Sequence, residues 1–157
     1  TPMKQLLALL VMTACGLSLG GLAAGEKDKD KVHTVGKQGL TIESKIAEND
    51  KSYDYKLNFD GMDVELKLRA KRYLVKLDAG AKYTMTMDTK DMEFDPLLVV
   101  QDNAGKILAF DDDSGGKLNA KLEFPPAKSG TFTINAAALR DTLGPYTLKI
   151  VAAAGGK

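Results

Sequence analysis

The sequence has one cysteine, one histidine and no tryptophan among its 157 residues. Its 22 Lys and Arg residues nearly balance its 21 Asp and Glu residues, so no charge of one sign dominates. The basic residues are also not interleaved with aromatic ones. Because nucleic acid is attracted by a net basic field, we expect no nucleic-acid partner.

Catalytic options are few because His33 is the only histidine. It lies beside a run of charges, where we expect an exposed, incidental side chain unsuited to a Ser–His–Asp triad. A Cys–His pair is equally disfavoured, since the one cysteine lies near the N-terminus. A glycosidase needs only two carboxylates, but no pattern marks one acid as buried and another as exposed. We predict a protein that is not an enzyme; a carboxylate-based hydrolase is the remaining catalytic alternative.

Residues 1–25 are typical of a secretory signal peptide. Met3 and Lys4 make a short basic start, Leu6 to Ala14 is apolar, and small residues continue to Ala23-Ala24-Gly25. The run is too short and too glycine-rich for a membrane span, and polar residues follow at once. The sequence therefore predicts export to the periplasm or the outside of the cell.

Cys15 leaves a second form of export open. It lies in Met12-Thr13-Ala14-Cys15-Gly16, which resembles a weak lipobox. Met12 stands where leucine is usual, and the chain after Cys15 stays apolar, which favours ordinary cleavage. A cut before Cys15 would leave a lipid anchor there, and the membrane is a partner only through that anchor. With ordinary cleavage Cys15 is lost, and the mature chain has no thiol and no disulfide. Nothing in the sequence explains Thr1 and Pro2 before Met3.

Three segments follow the signal. Residues 26–38 begin with alternating acids and bases and are predicted to form a charged linker. Residues 39–152 carry the folded domain, and residues 153–157 form a short tail. We expect a monomer.

Apolar and polar residues alternate through the domain, which is the signal of β-strands with one buried face. The alternating apolar positions are Leu40 and Ile42; Tyr55, Leu57 and Phe59; Val64, Leu66 and Leu68; Tyr73, Val75 and Leu77; Tyr83, Met85 and Met87; Leu118, Ala120, Leu122 and Phe124; Phe132, Ile134 and Ala136; and Tyr146, Leu148 and Ile150. Leu97 to Val100 is apolar throughout, which predicts a central strand buried on both faces. We expect Met85, Met87 and Met92 to fill the core rather than to bind metal.

Turn residues separate these runs, as in Asp60-Gly61, Asn103-Ala104-Gly105 and Ser129-Gly130. No segment after the signal sustains a helical period. Residues 136–143 are predicted to form a loop, with a single helical turn as the alternative. Short strands at this spacing predict an all-β fold, an antiparallel β-sandwich of jelly-roll type.

Residues from about Tyr73 to Ile150 resemble the bacterial pre-peptidase C-terminal (PPC) domain. The segments that carry the likeness are Tyr73 to Gly80, Tyr83 to Met87, Phe94-Asp95-Pro96-Leu97-Leu98, Asn103 to Lys106, Asp111-Asp112-Asp113-Ser114-Gly115-Gly116, Ser129 to Phe132 and Gly144-Pro145-Tyr146-Thr147-Leu148. The resemblance implies a secreted, non-catalytic β-sandwich. We expect no attached protease, and we interpret residues 40–69, which precede the resemblance, as further strands of the same sandwich.

Four aspartates are the candidate metal ligands. Asp111, Asp112 and Asp113 are adjacent in a glycine-bent loop, and Asp95 flanks a neighbouring strand. Calcium takes about six to eight oxygen ligands, which clustered carboxylates supply. The EF-hand pattern fails, because Leu122 stands where a bidentate Glu is required. The alternative is a turn in which one Asp accepts backbone N–H bonds and the others face solvent.

Two functions remain open at this point. The first is a non-enzymatic module that binds a protein or polysaccharide surface, for which a group of exposed tyrosines would be a platform. The second is a calcium-stiffened spacer of the cell envelope with no specific ligand.

Overall fold

A computed structural model describes residues 31–153 of the chain. None of the helical structure in this range is long and apolar enough to cross a membrane. The elements are β1 (Val32–Thr34), β2 (Leu40–Ile46), β3 (Ser52–Phe59), β4 (Met62–Leu77), β5 (Tyr83–Asp88), β6 (Pro96–Gln101), β7 (Ile107–Asp111), β8 (Ala120–Phe124), β9 (Gly130–Ala138), a 3-10 turn (Leu139–Asp141) and β10 (Gly144–Ala152).

Two sheets divide these strands. The main sheet has the order β1-β4-β9-β6-β7, with β3 attached to β4, and the second sheet has the order β2-β10-β5-β8. Strand β1 runs parallel to β4, and the other pairings are antiparallel. The all-β sandwich that the alternation predicts is confirmed.

The main core lies between the two sheets. Met85 and Met87 of β5 are fully buried in it, which confirms their predicted role as core filling. Tyr73 and Tyr146 also meet there, with their hydroxyl oxygens 2.7 Å apart. Burial raises the pKa of Tyr146, so its hydroxyl stays protonated and the pair forms a neutral hydrogen bond.

Strand β4 is sixteen residues long and belongs to two layers. Its second half pairs with β9 in the main sheet, whereas its first half pairs with β3. Residues 52–69 thus form a hairpin, the covering hairpin, which lies on the outer face of the main sheet. Its side chains Tyr55, Leu57 and Leu68 form a second core with Leu97 and Val99 of β6.

The covering hairpin explains the unbroken apolar sequence of β6. Alternate residues of β6 face the main core and the second core, so every residue from Pro96 to Gln101 is buried. The prediction that Leu97 to Val100 is buried on both faces is therefore confirmed. A strand with water on one face would carry polar residues at every second position.

A buried hydrogen-bond network fastens the hairpin to the sheet. The side chain of Asn135 in β9 accepts a bond from the Tyr55 hydroxyl (3.1 Å) and donates to the carbonyl of Val99 (3.0 Å) and to Oε1 of Gln101 (3.1 Å). Burial raises the pKa of Tyr55, which keeps its hydroxyl a donor. An unpaired buried polar group costs about 1–3 kcal/mol, so the network favours this one placement of the hairpin.

Strand β1 lies within residues 26–38, where the sequence predicts a linker. It buries His33, which is 9% exposed and meets the Tyr73 ring edge-on at 6.0 Å. The expectation of an exposed His33 is wrong, because the three residues of β1 add a parallel strand beside β4. The predicted signal peptide with Cys15, and residues 154–157 of the predicted tail, lie outside the described residues.

The packing of the second core predicts a large loss of stability when one of its side chains is shortened. Leu57→Ala removes a side chain that is 1% exposed, so we expect the free energy of unfolding to fall by about 2–5 kcal/mol. Met62→Ala, on the same hairpin but 68% exposed, is the control and should change it by less than about 0.5 kcal/mol. Denaturant melts measure both. Equal, small effects would mean that the hairpin does not depend on this packing.

Candidate functional site

Three loops meet at one end of the sandwich, which we call the loop end: residues 89–95, 112–119 and 139–143. The Thr89 N–H donates to Asn119 Oδ1 at 2.9 Å, which joins the first two loops. The Leu139 N–H donates to the Asp95 carbonyl at 2.8 Å, which joins the first and third. All four predicted metal ligands lie at or beside this end.

Asp111 shapes the loop that follows β7. Its carboxylate accepts hydrogen bonds from the Ser114 N–H (3.1 Å), the Ser114 hydroxyl (2.5 Å) and the Lys121 N–H (2.8 Å). Since Lys121 is in β8, the last bond also ties the main sheet to the second sheet. These bonds match the predicted alternative in which one Asp holds the turn.

Asp112 and Asp113 occupy the outer part of the same loop. Asp112 Oδ1 accepts a bond from the Asp113 N–H at 3.0 Å, and Asp113 is exposed. Among the residues that the structure describes, no three Asp, Glu, His or Cys side chains are arranged to hold a metal ion. Calcium binding by Asp95, Asp111, Asp112 and Asp113 stays a prediction.

Asp95 anchors the third loop. Its N–H donates to the Thr142 hydroxyl at 3.0 Å, and its side chain lies 3.5 Å from Arg140 Nε. Arg140 and Asp141 both have left-handed backbone angles (φ 52° and 60°), which cost energy for residues with a Cβ. Asp141 is held in place by an ion pair with Arg69. The loop is therefore strained and fixed by contacts on both sides, a combination found at binding and catalytic sites.

Asp95 is also the most perturbed acid of the loop end. The residue is 4% exposed, and this burial raises the pKa of its carboxyl above the ordinary value of 3.8. Arg140 opposes the rise, whereas Asp113 and Asp112 add to it. The carboxyl of Asp95 thus lies within electrostatic range of Asp112 and Asp113 across the loop end.

A shallow groove of 490 Å³ lies between the first two loops. Its lining residues are Thr89, Lys90, Met92, Gly115, Gly116, Lys117 and Asn119. The sequence does not predict this groove, because strands β6 and β7 and the turn that joins them separate its two walls along the chain. The one local signal is the pair of glycines before Lys117, which marks a sharp turn and not a ligand.

Two large apolar side chains are exposed at the loop end. Met92 is 68% exposed and Leu143 is 42% exposed. The expectation that Met92 fills the core is wrong, because the chain turns away from the sheet after Asp88 and Met92 follows in the loop. Gly144, next to Leu143, lets the third loop approach the first: a Cβ there would lie 2.8 Å from Phe94 Cβ.

No protein-family model matches this chain, and no curated protein matches it either. Some solved structures are similar to it. The pre-peptidase C-terminal domain of a collagenase from Bacillus anthracis superposes with a TM-score of 0.52 at 12% identity, over 76% of this chain and 94% of that one.

Two further structures are similar. A surface-associated copper-binding protein from Methylomicrobium album BG8 matches with a TM-score of 0.50 at 10% identity, over 76% of this chain and 97% of that one. A periplasmic inhibitor of g-type lysozyme from Aeromonas hydrophila matches with a TM-score of 0.45 at 14% identity, over 78% and 98%. At these identities the likeness concerns the fold.

The architecture is that of a two-sheet β-sandwich with one elaborated loop end. More particularly, the chain has the fold of a pre-peptidase C-terminal domain, so the resemblance is confirmed at the level of the fold.

The bonds of Asp111 predict a strong effect on stability. Asp111→Ala leaves three donors without their acceptor, so we expect the free energy of unfolding to fall by about 1–3 kcal/mol. Asp113→Ala, in the same loop but exposed, is the control and should cost less than about 0.5 kcal/mol. Thermal melts compare the two. A larger loss in the control would contradict the role given to Asp111.

The same melts test the calcium-stiffened spacer. If calcium binds the folded loop, millimolar calcium raises the melting temperature by mass action. Replacing both Asp112 and Asp113 by Asn should then abolish the rise. An unchanged melting temperature in the native protein removes calcium from the account.

The position of Asp95 predicts a pH dependence of stability. Its pKa is higher in the folded protein than in the unfolded chain, so its contribution is fully present below pH 3.8 and is lost as the pH rises through the raised value. Relative to Asp95→Asn, the native protein should therefore lose stability as the pH rises from below 3.8 toward neutral. Melts of both proteins across this range measure the difference. A difference that stays constant or grows in favour of the native protein would contradict the assignment.

Proposed function

We propose that this protein is an exported, non-enzymatic module that binds another protein through its loop end. The single observation that carries the proposal is the loop end itself. Its three loops are fixed by hydrogen bonds to one another and present the exposed side chains Met92 and Leu143. A rigid scaffold that displays variable loops at one end is a recurrent design for recognition.

The aromatic residues favour a protein over a polysaccharide as the partner. Sugar rings bind by packing an apolar face against an exposed aromatic ring. The chain has five Tyr, five Phe and no Trp, all ten lie within the described residues, and none of them is exposed. Aliphatic and charged side chains surround the loop end instead, and these suit a protein surface.

The position of the histidine supports a non-enzymatic role. His33 is buried in β1 and pairs with Val75 of β4. Val75 lies near the end of β4 that is opposite the loop end. His33 therefore does not meet the carboxylates of the loop end. Asp111 at that end is engaged by backbone donors that fix the turn.

Export is supported by the sequence of the first 25 residues, with their basic start and apolar run. A cleaved signal would place the module in the periplasm or outside the cell, and a cut before Cys15 would add a lipid anchor. The mass of the mature N-terminus distinguishes the two.

The proposal predicts which surface captures a partner. Immobilised protein should retain a binding protein from an envelope extract of the source organism. The double variant Met92→Ser, Leu143→Ser should retain it at least about tenfold less, since each buried aliphatic side chain contributes about 1.5–3 kcal/mol. The captured protein is identified by mass spectrometry, purified, and its Kd is measured for each variant.

The matched control replaces two apolar side chains of similar exposure that lie elsewhere. Val32→Ser with Val151→Ser changes residues that are 47% and 45% exposed and should leave the Kd unchanged. Equal losses in both double variants would place the contact outside the loop end. A purified protein that turns over a substrate, with activity lost on changing one loop-end Asp, would overturn the non-enzymatic role.

A further inference from the structure

We infer that the groove between residues 89–92 and 115–119 binds an acidic segment of the protein partner. The inference rests on the proposed function and adds the chemistry of the partner. It depends on three features of the groove: the charge of its walls, the preorganisation of its floor and the apolar side chain at its edge.

The two walls carry charge of one sign. Lys90 lies on the first wall and Lys117 on the second, both are exposed, and they are the charged residues among those that line the groove. Two ammonium groups on opposite walls are complementary to carboxylates laid between them. A segment with several Asp or Glu residues supplies such groups at short intervals.

The aspartates nearby lie outside the lining of the groove. Asp111 accepts bonds from Ser114 and from the Lys121 N–H of β8, and Asp112 accepts one from the Asp113 N–H. Asp91 Oδ1 accepts a bond from the Glu93 N–H at 3.0 Å, and Asp88 Oδ2 accepts one from the Thr86 hydroxyl at 2.9 Å. None of these four carboxylates lines the groove.

The floor of the groove is held before any ligand binds. The bond from the Thr89 N–H to Asn119 Oδ1 joins the walls, and the Gly115 N–H donates to the Asn119 carbonyl at 2.7 Å. Gly115 is required there, because a Cβ would lie 2.5 Å from the Asn119 carbonyl oxygen. Because Asn119 Oδ1 accepts the bond from the Thr89 N–H, the Nδ2 group is the part of this side chain that can donate to a ligand carboxylate. Preorganised groups lower the entropic cost of binding.

The shape of the groove favours a chain segment over a small molecule. Its lining is shallow and includes Met92, which is 68% exposed and unbranched, so it can adapt to an apolar side chain between the acids. Drug-sized ligands instead occupy concave sites that cover most of their surface. An acidic segment with one aliphatic residue thus matches the groove in both charge and shape.

The experiment uses a synthetic probe. A nine-residue peptide with four Glu on each side of one Leu is titrated into the 15N-labelled protein, and amide chemical shifts are followed. We expect shifts at residues 89–92 and 115–119. Replacing Lys90 and Lys117 by Gln should weaken binding about 3- to 10-fold, the effect of two exposed ion pairs. Raising the salt concentration should weaken binding to the native protein as well.

The matched control removes the same charge at the opposite end of the sandwich. Lys106→Gln with Lys128→Gln changes two exposed lysines in the 102–106 and 125–129 connections and should leave binding unchanged. The same peptide with Gln in place of Glu should bind at least about threefold more weakly than the Glu peptide. Native-like amide spectra of both double variants establish that they are folded.

Several results would overturn the inference: no binding of the Glu peptide, shifts outside the groove, or equal losses in the two lysine variants. If a galacturonate oligosaccharide binds as tightly as the Glu peptide, the groove recognises carboxylates without needing a protein segment. That result would also contradict the inference. The inference can fail while the proposed function stands. If the lysine variant at the groove still captures the protein partner with native affinity, the loop end binds protein but not through an acidic segment.

Discussion

The rest of the structure depends on the burial of β6 and β9 on both faces. A sandwich sheet normally leaves one face to water, but Leu97 and Val99 on the outer side of β6 are as buried as Leu98 and Val100 on the inner side. The outer face therefore requires a cover, and the covering hairpin provides it by extending β4 beyond the main sheet. Asn135 orients that cover, because its side chain is satisfied when Tyr55 lies above it.

This arrangement also fixes the loop end. Asp95 immediately precedes β6, and Leu139 immediately follows β9, so the bond between them joins the ends of the two most buried strands. Strain at Arg140 and Asp141 persists because this bond, the Thr142 hydroxyl and Arg69 hold the turn from several sides. The four aspartates predicted as metal ligands consequently differ in role. Asp111 shapes a turn, Asp95 is buried beside Arg140, and Asp112 and Asp113 lie in the outer part of the loop.

Alternation and turn residues predict most strands, because most strands have one face in the main core or in the second core. The exceptions have physical reasons. Residues 62–77 form one strand where the alternation predicts two. The two apolar runs are joined by Arg69-Ala70-Lys71-Arg72, which contains no turn residue, so the strand continues through it. Strand β1 is too short to show a period, and its burial of His33 follows from pairing with a distant strand.

The site is harder to predict than the fold. The acidic loop is visible in the sequence because its residues are adjacent, but the partners of Asp111 include Lys121, ten positions away. The groove is invisible, since Lys90 and Lys117 are brought together by the order of strands in the second sheet. The exposure of Met92 likewise depends on where the chain leaves β5.

The claim that a rigid loop end binds another protein is tested most directly by amide hydrogen exchange of the protein alone and with its purified partner. We expect slower exchange on binding in residues 89–95, 112–119 and 139–143, with little change in the 78–82, 102–106 and 125–129 connections at the opposite end. Protection confined to the opposite end, or to an edge strand such as β2, would contradict it.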